Sequence, residues 1–196
     1  HLAAGVGTLA IGNDASGSIR MPASFGGVYG IKPTFGMVAN WPPSSAGILG
    51  HTGPMGWTVA DTTLLLRVMA GPDIRDPYGL PRQDAILDAD PSRGVAGLRI
   101  AYSPGLGLVD PDAEVRAATD AAAQVFADLG AQVELVDPDF SGLFDAYNCL
   151  RICNRAASYR ASGAADKRDT MDELVARVLD QARAYDADDL IAAMRH

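Results

Sequence analysis

The first 36 residues are dense in glycine, and this pattern constrains the fold more than any other feature of the chain. Glycine permits sharp turns and close backbone approaches but weakens regular helices, so a long helix is excluded here. The apolar stretches between the glycines predict a buried strand over 8–11, a short helical turn over 19–25 and a second strand over 27–31. Residues 40–52 predict an irregular loop. The glycines of this segment are Gly5, Gly7, Gly12, Gly17, Gly26, Gly27, Gly30 and Gly36.

More regular patterns follow downstream. Thr58 and Asp61 precede an apolar stripe that ends at Gly71, which predicts a helix over 58–70. Residues 73–96, rich in Asp and Pro, predict a surface connection. A strand over 98–103, a helix capped by Asp110 and Pro111, and a strand over 133–136 then predict a βαβ unit with parallel strands.

The last third of the chain has helical patterns. Apolar spacing predicts a helix over 143–161, Thr170 with Glu173 predicts a capping box for the next helix, and Asp186 predicts the cap of a final one. Together with the strands, these patterns predict an α/β fold in which helices cover a mixed, largely parallel sheet.

Composition excludes several classes of function. The formal net charge of -8 disfavours a nucleic acid partner, because binding to a phosphate backbone needs clustered basic side chains. No apolar run reaches the roughly 18 residues of a membrane span. Histidine occurs only at positions 1, 51 and 196, which excludes a His-based metal site within this chain. Cys149 and Cys153, at i, i+4 spacing, predict a core-facing pair and a reducing cytoplasm.

The segment from Gly12 to Ala23 carries the candidate chemistry. A predicted strand ends at a turn of small residues, Ser18 closes the turn, and a helical turn follows, so backbone N–H groups and a helix N-terminus converge beside Ser18. This is the geometry that an oxyanion hole needs. The same pattern also fits a serine that only caps the following turn. Ser16 is a rival nucleophile, and Asp14 with Arg20 is interpreted as an ion pair that structures the loop.

The same segment begins a longer stretch of residues that matches a known sequence signature. Residues 12–23 read Gly-Asn-Asp-Ala-Ser-Gly-Ser-Ile-Arg-Met-Pro-Ala, and residues 30–36 read Gly-Ile-Lys-Pro-Thr-Phe-Gly. This stretch resembles the signature of the amidase signature family, and the likeness continues to about residue 137. The resemblance implies a single partial domain over 1–196, with 1–137 as its signature-bearing core and 138–196 as a variable helical region. Because both chain ends lie in predicted helices, we expect a segment of a longer protein.

The resemblance also implies an activity. The family hydrolyses a carboxylic amide to an acid plus an amine or ammonia through a Ser–cis-Ser–Lys triad, without a metal or cofactor. Ser18 matches the acylated nucleophile, and the oxyanion hole matches the backbone N–H groups of Ala15, Ser16, Gly17 and Ser18. The cis-Ser and the Lys match positions upstream of this chain, and Lys32 matches a structural position. We therefore expect a cytoplasmic amidase acting on a small-molecule amide, and an isolated chain that is inactive.

Several alternatives are left open by the sequence. Ser16 replaces a family glycine, which strains the loop if that position needs a positive φ. The resemblance also fits the ammonia-supplying glutaminase component of a tRNA-dependent amidotransferase, or a catalytically silent amidase-like binding domain. Nucleic acid is expected only in the amidotransferase case, no membrane association is expected, and homo-oligomer formation is open. His51 is an alternative general base.

Overall fold

The computed structural model describes residues 1–196, apart from the side chain of Pro91. The chain divides into two compact units, one formed by residues 1–89 and 146–196 and the other by residues 90–145. The expectation of one partial domain over 1–196 stays a prediction.

An antiparallel sheet organises the first unit. Its strands are β1 (Leu9–Asp14), β2 (Tyr29–Gly30) and β3 (His51–Gly56), with β3 in the centre. The sequence prediction was wrong for β3, since an irregular loop was expected up to residue 52 and no strand after it. Two glycines and a proline give this segment a low strand propensity. Pairing along both edges establishes the strand instead.

Helix α1 (Arg20–Gly26) is anchored on this sheet by Ile19, its N-cap residue, which is fully buried. A Cβ atom added at Gly12 of β1 would lie 2.9 Å from Cγ1 of Ile19, and one at Gly30 of β2 would lie 3.0 Å from its Cγ2. At Gly53 of β3 the distance to Cδ1 would be 3.1 Å. These distances are shorter than ordinary van der Waals contact, so one glycine from each strand is needed to admit Ile19. We call Gly12, Gly30 and Gly53 the glycine floor.

Helix α2 (Val59–Met69) follows the sheet and confirms the helix predicted over 58–70. Thr58 is its N-cap and accepts a hydrogen bond from the N–H of Asp61 at 3.0 Å. The region expected to be a connection holds a further short helix, α3 (Asp84–Leu87), and the loop before β3 holds a 3-10 turn at Gly47–Leu49.

The second unit is the predicted βαβ unit. β4 (Arg99–Tyr102) and β5 (Gln132–Leu135) pair in parallel and are joined by α4 (Ala113–Asp128), and a 3-10 turn at Pro91–Arg93 precedes them. The cap predicted at Asp110 and Pro111 is wrong, because Asp112 is the N-cap and makes no side-chain cap bond. The α/β class is confirmed, with parallel strand pairing in this unit and antiparallel pairing in the first.

Helices form the C-terminal part. These are α5 (Leu143–Ala161), which agrees with the prediction, α6 (Glu173–Gln181) and α7 (Ala187–Arg195), with 3-10 turns at Ala164–Thr170 and Ala182–Ala184. α5 and α6 share an apolar cluster of Ile152, Ala156, Val178 and Leu179. Within the part of the chain that the structure describes, no helix has the length and apolarity required to cross a membrane.

The caps of the last two helices differ in outcome. Asp186 caps α7 in a reciprocal capping box with Asp189, as predicted for Asp186. The capping box predicted for Thr170 is wrong, because the side chain of Asp172 accepts the N–H of Leu174 and caps α6. Thr170 instead donates its hydroxyl to the carbonyl of Lys167 at 2.9 Å. Asp172, which lies nearer the start of α6, therefore caps this helix in place of Thr170.

Candidate active site

The carboxylate of Asp14, at the end of β1, organises the turn that carries Ser18. Asp14 is fully buried and accepts hydrogen bonds from the backbone N–H groups of Gly17 at 2.6 Å, Ile19 at 3.2 Å and Arg20 at 3.3 Å. The Arg20 guanidinium adds two bonds of 3.0 Å, one to each carboxylate oxygen. The turn is therefore wrapped around one buried anion.

These bonds determine the charge of Asp14. Burial raises the pKa of this carboxyl, but the Arg20 side chain and three backbone N–H groups together outweigh burial and hold its pKa well below the usual value of 3.8. The bond to Asp14 in turn raises the pKa of Arg20. The pair is thus fully ionised at neutral pH, and half of the Arg20 side chain remains exposed.

Ser18 is presented at the surface of this turn. Its side chain is exposed, and its hydroxyl makes no hydrogen bond with any other described residue. The capping alternative is wrong, because the N-cap of α1 is Ile19 and no side chain caps the helix. Gly17, immediately before Ser18, has a φ of 103°, and a Cβ there would lie 3.1 Å from Cγ of Met21. Both features require glycine at that position.

The backbone N–H groups of the turn divide into two sets. Gly17 donates to Asp14, so its N–H is committed inside the protein and leaves the set of oxyanion donors expected from the sequence. The N–H groups of Ala15, Ser16 and Ser18 have no acceptor among the described residues. Three donors beside an exposed serine hydroxyl are suited to binding a developing oxyanion.

Comparison with known proteins now identifies the family. A family model described as Amidase matches residues 1–195. The chain belongs to the amidase signature family. An acylamidase of Rhodococcus erythropolis is 33% identical over 191 residues, and the alignment covers 92% of this chain and 38% of the relative. The A-type component of the glutamyl-tRNA(Gln) amidotransferase of Burkholderia pseudomallei is 38% identical over 189 residues, covering 81% of this chain and 38% of that protein.

Solved structures agree with this membership. A bacterial aryl acylamidase of the amidase signature family superposes with a TM-score of 0.82 at 26% identity, covering 98% of this chain and 42% of that one. A 6-aminohexanoate cyclic dimer hydrolase in complex with its substrate superposes with a TM-score of 0.80 at 26% identity, again covering 98% of this chain and 42% of the other. The chain thus has the amidase-signature α/β fold and spans about two fifths of the length of these relatives.

Ser16, at the position where the resemblance implies a glycine, is accommodated without left-handed strain. Its φ is not positive, since Leu106 is the non-glycine residue with that conformation among those described. The hydroxyl of Tyr147 in α5 donates to Oγ of Ser16 at 2.5 Å. The sequence predicts a helix over 143–161, but no pattern in it indicates a contact between Tyr147 and a residue 131 positions away.

Two other residues that the sequence raised, His51 and Lys32, lie in different surroundings. Nδ1 of His51 lies 2.8 Å from the carbonyl oxygen of Leu49, and its ring meets Phe35 edge-on at 5.6 Å between centroids. Lys32 donates to the carbonyl of Pro33 at 3.0 Å, and its pKa is lowered by burial and then by Arg20. Neither side chain is hydrogen bonded to Ser18 within the described chain.

Both cysteines of the chain are free. Cys149 is buried in α5 and Cys153 is partly buried beside it. Burial, followed by the neighbouring Cys153, raises the pKa of Cys149 to about 11, which suits a core residue and not a nucleophile. Among the described residues, no group of three or more His, Cys, Asp or Glu side chains is arranged to hold a metal ion.

Proposed function

We propose that this chain supplies the nucleophile of an amidase that hydrolyses a carboxylic amide to an acid and an amine or ammonia. The observation that carries the proposal is the turn around Asp14, which leaves the Ser18 hydroxyl exposed and unbonded beside three unpaired N–H donors. Membership of the amidase signature family and the likeness to acylamidases support the same chemistry.

In the first half of the reaction, Oγ of Ser18 attacks the carbonyl carbon of the amide. Its proton passes through the cis-Ser to the Lys, both supplied by residues upstream of this chain. The oxyanion that forms accepts hydrogen bonds from the N–H groups of Ala15, Ser16 and Ser18. The C–N bond then breaks, the leaving nitrogen takes the proton, and an ester to Ser18 remains.

In the second half, water replaces the leaving amine. It gives a proton to the same base, attacks the ester carbonyl carbon and expels Oγ of Ser18, which recovers a proton. The acid leaves and the enzyme returns to its starting state. Asp14 and Arg20 shape the turn throughout and exchange no proton with the substrate.

The decisive experiment uses the full-length protein and a fluorophosphonate, which reacts with activated serine hydroxyls. Mass spectrometry should find the adduct on Ser18, and Ser18→Ala should abolish both the adduct and amide turnover, with a loss on the order of 10⁶-fold in kcat. Ser16→Ala is the matched control and should still be labelled. The isolated 196-residue chain should turn over no amide. Absence of an adduct on Ser18 would favour a catalytically silent binding domain.

A second candidate is the glutaminase component of an amidotransferase. It is favoured by the 38% identity to the corresponding component of the Burkholderia pseudomallei enzyme. This alternative predicts ammonia release from glutamine and co-purification of the full-length protein with partner proteins. The free-standing amidase predicts neither a partner nor tRNA.

A further inference from the structure

A small pocket adjoins the turn that carries Ser18. Its volume is about 60 Å³. Its lining comes from the turn, from the loop before β3 and from α5: Ala15, Ser16, Ser45, Ala46, Leu49, Arg151 and Arg155. Two of these residues, Ala15 and Ser16, belong to the proposed oxyanion donors, so the pocket borders the proposed reaction centre. The two arginines have no task in the reaction described above.

Neither arginine of the pocket pairs with a carboxylate among the described residues. Arg151 donates to Oδ1 of Asn148 at 3.1 Å and lies 5.9 Å from the ring centroid of Tyr147, while Arg155 is exposed. Neither forms an ion pair with a described carboxylate, although acidic residues outnumber basic ones in the chain. Arginines that do form such pairs are Arg20, Arg67, Arg75, Arg82, Arg99, Arg116, Arg168, Arg177 and Arg183.

The helix holds these two side chains in a defined position relative to the turn. Arg151 and Arg155 are four residues apart and therefore lie on the same face of α5. Tyr147, one turn earlier, is bonded to Ser16 at 2.5 Å. Asn154 packs against the loop before β3, where a Cβ at Gly47 would lie 2.6 Å from its Oδ1. The guanidinium groups thus stand on a helix that contacts both other walls of the pocket.

We propose that this pocket binds a carboxylate of the substrate, so that the amidase prefers amides bearing a second, anionic group. The inference rests on the proposed amidase function. A guanidinium presents N–H donors in a fixed fork that matches the two oxygens of a carboxylate. Two unpaired guanidiniums beside an oxyanion turn therefore select an acidic substrate over its neutral isostere.

The test compares acidic and neutral substrates of similar size with the full-length protein. Succinamate against butyramide places the carboxylate on the acyl side, and N-acetylglycine against N-propylacetamide places it on the amine side. In at least one pair the acidic member should have a kcat/KM about tenfold higher or more. Arg151→Gln/Arg155→Gln should lower kcat/KM for that substrate by about 10- to 100-fold and leave the neutral member within about twofold.

Arg160→Gln is the matched control, because Arg160 is an exposed arginine of the same helix that does not line the pocket. Arg160→Gln should change kcat/KM for neither the acidic nor the neutral substrate of a pair. The proposal would be overturned if the double variant lost kcat/KM equally on acidic and neutral substrates. It would also be overturned if the wild type preferred neither acidic amide.

A binding measurement separates this inference from the proposed function. Calorimetry with succinate should detect binding to the Ser18→Ala protein and none after the two arginines are replaced. If Ser18 is neither labelled nor required for turnover, the amidase proposal fails, yet arginine-dependent succinate binding would still support the carboxylate site. No succinate binding to the Ser18→Ala protein would count against that site whatever the activity.

Discussion

The hydroxyl of Tyr147 donates a hydrogen bond to the hydroxyl of Ser16 across 131 positions of sequence. This bond joins α5, in the C-terminal part of the chain, to the turn that carries the proposed nucleophile. The position where the family typically has glycine is thus the position at which α5 contacts the turn. The departure from the family pattern has a structural partner of its own.

The bond between Tyr147 and Ser16 should have a measurable coupling energy. Tyr147→Phe and Ser16→Ala each remove one of the two hydroxyls and so break this bond. A double-mutant cycle in urea unfolding should give a coupling of about 1 kcal/mol. Tyr102→Phe removes a hydroxyl bonded to Asp120 in the other unit and should show no coupling to Ser16→Ala. A coupling near zero for the first pair would contradict the assigned bond.

Asp14→Asn should destabilise the protein by about 3 kcal/mol at neutral pH, because it removes a buried anion that accepts five hydrogen bonds. Urea unfolding measures this loss directly. Asp73→Asn is the matched control, since Asp73 also pairs with an arginine but at the surface. It should have little effect on the free energy of unfolding.

The same carboxylate should give stability a defined pH dependence. The pKa of Asp14 is lower in the folded protein than its usual value of 3.8, so the stability it contributes is fully present above that value. This contribution is lost as the pH falls toward the folded pKa. The free energy of unfolding, measured from pH 7 to pH 2, should therefore fall more steeply below about pH 4 for the wild type than for Asp14→Asn. Parallel curves would contradict the assignment.

Replacement of the central glycine of the sheet should be severe. A Cβ at Gly53 would lie 2.1 Å from the carbonyl oxygen of Ile31 and 3.1 Å from Cδ1 of Ile19, so backbone must move. Gly53→Ala should cost about 3 kcal/mol or more in the free energy of unfolding. At Gly7 the nearest atom to an added Cβ is 3.9 Å away, so Gly7→Ala should be nearly neutral. Thermal unfolding of both variants makes the comparison.

Cys149 should resist alkylation in the folded protein. With a pKa of about 11, only about one thiol in a thousand is ionised at pH 8. Peptide mapping after iodoacetamide should find Cys149 modified more than about 100-fold faster once the protein is unfolded in guanidinium. Rapid labelling of native Cys149 would show that the helix face carrying it is open to solvent.

Local sequence signals predicted much of this fold. The apolar stripe behind Thr58 and the strand and helix periods of the βαβ unit lie within short windows, and the structure confirms both. β3 was missed because its glycine and proline carry a low strand propensity, and its strand is defined by partners distant in sequence. The cap predicted at Thr170 was wrong because Asp172, two residues further along the chain, accepts the N–H of Leu174.

The candidate site was predictable only where it is contiguous. The small-residue turn from Asp14 to Ser18 is visible in the sequence, because strand, turn and helix follow one another there. The hydroxyl of Tyr147 bonds to the turn, and Arg151 lines the pocket beside it, through tertiary packing that no sequence periodicity indicates. The commitment of the Gly17 N–H to Asp14 likewise depends on a side-chain orientation that spacing does not specify.

The glycine floor under Ile19 has a consequence for how the turn tolerates its surroundings. One side of the turn is held by an ion pair, which salt and acid weaken. Its other side is held by packing, because a glycine in each of three strands leaves space for the side chain of Ile19. This packing does not depend on salt or acid. The position of Ser18 is therefore fixed by packing as well as by charge, so we expect changes of charge at the arginines of α5 to leave the proposed nucleophile in place.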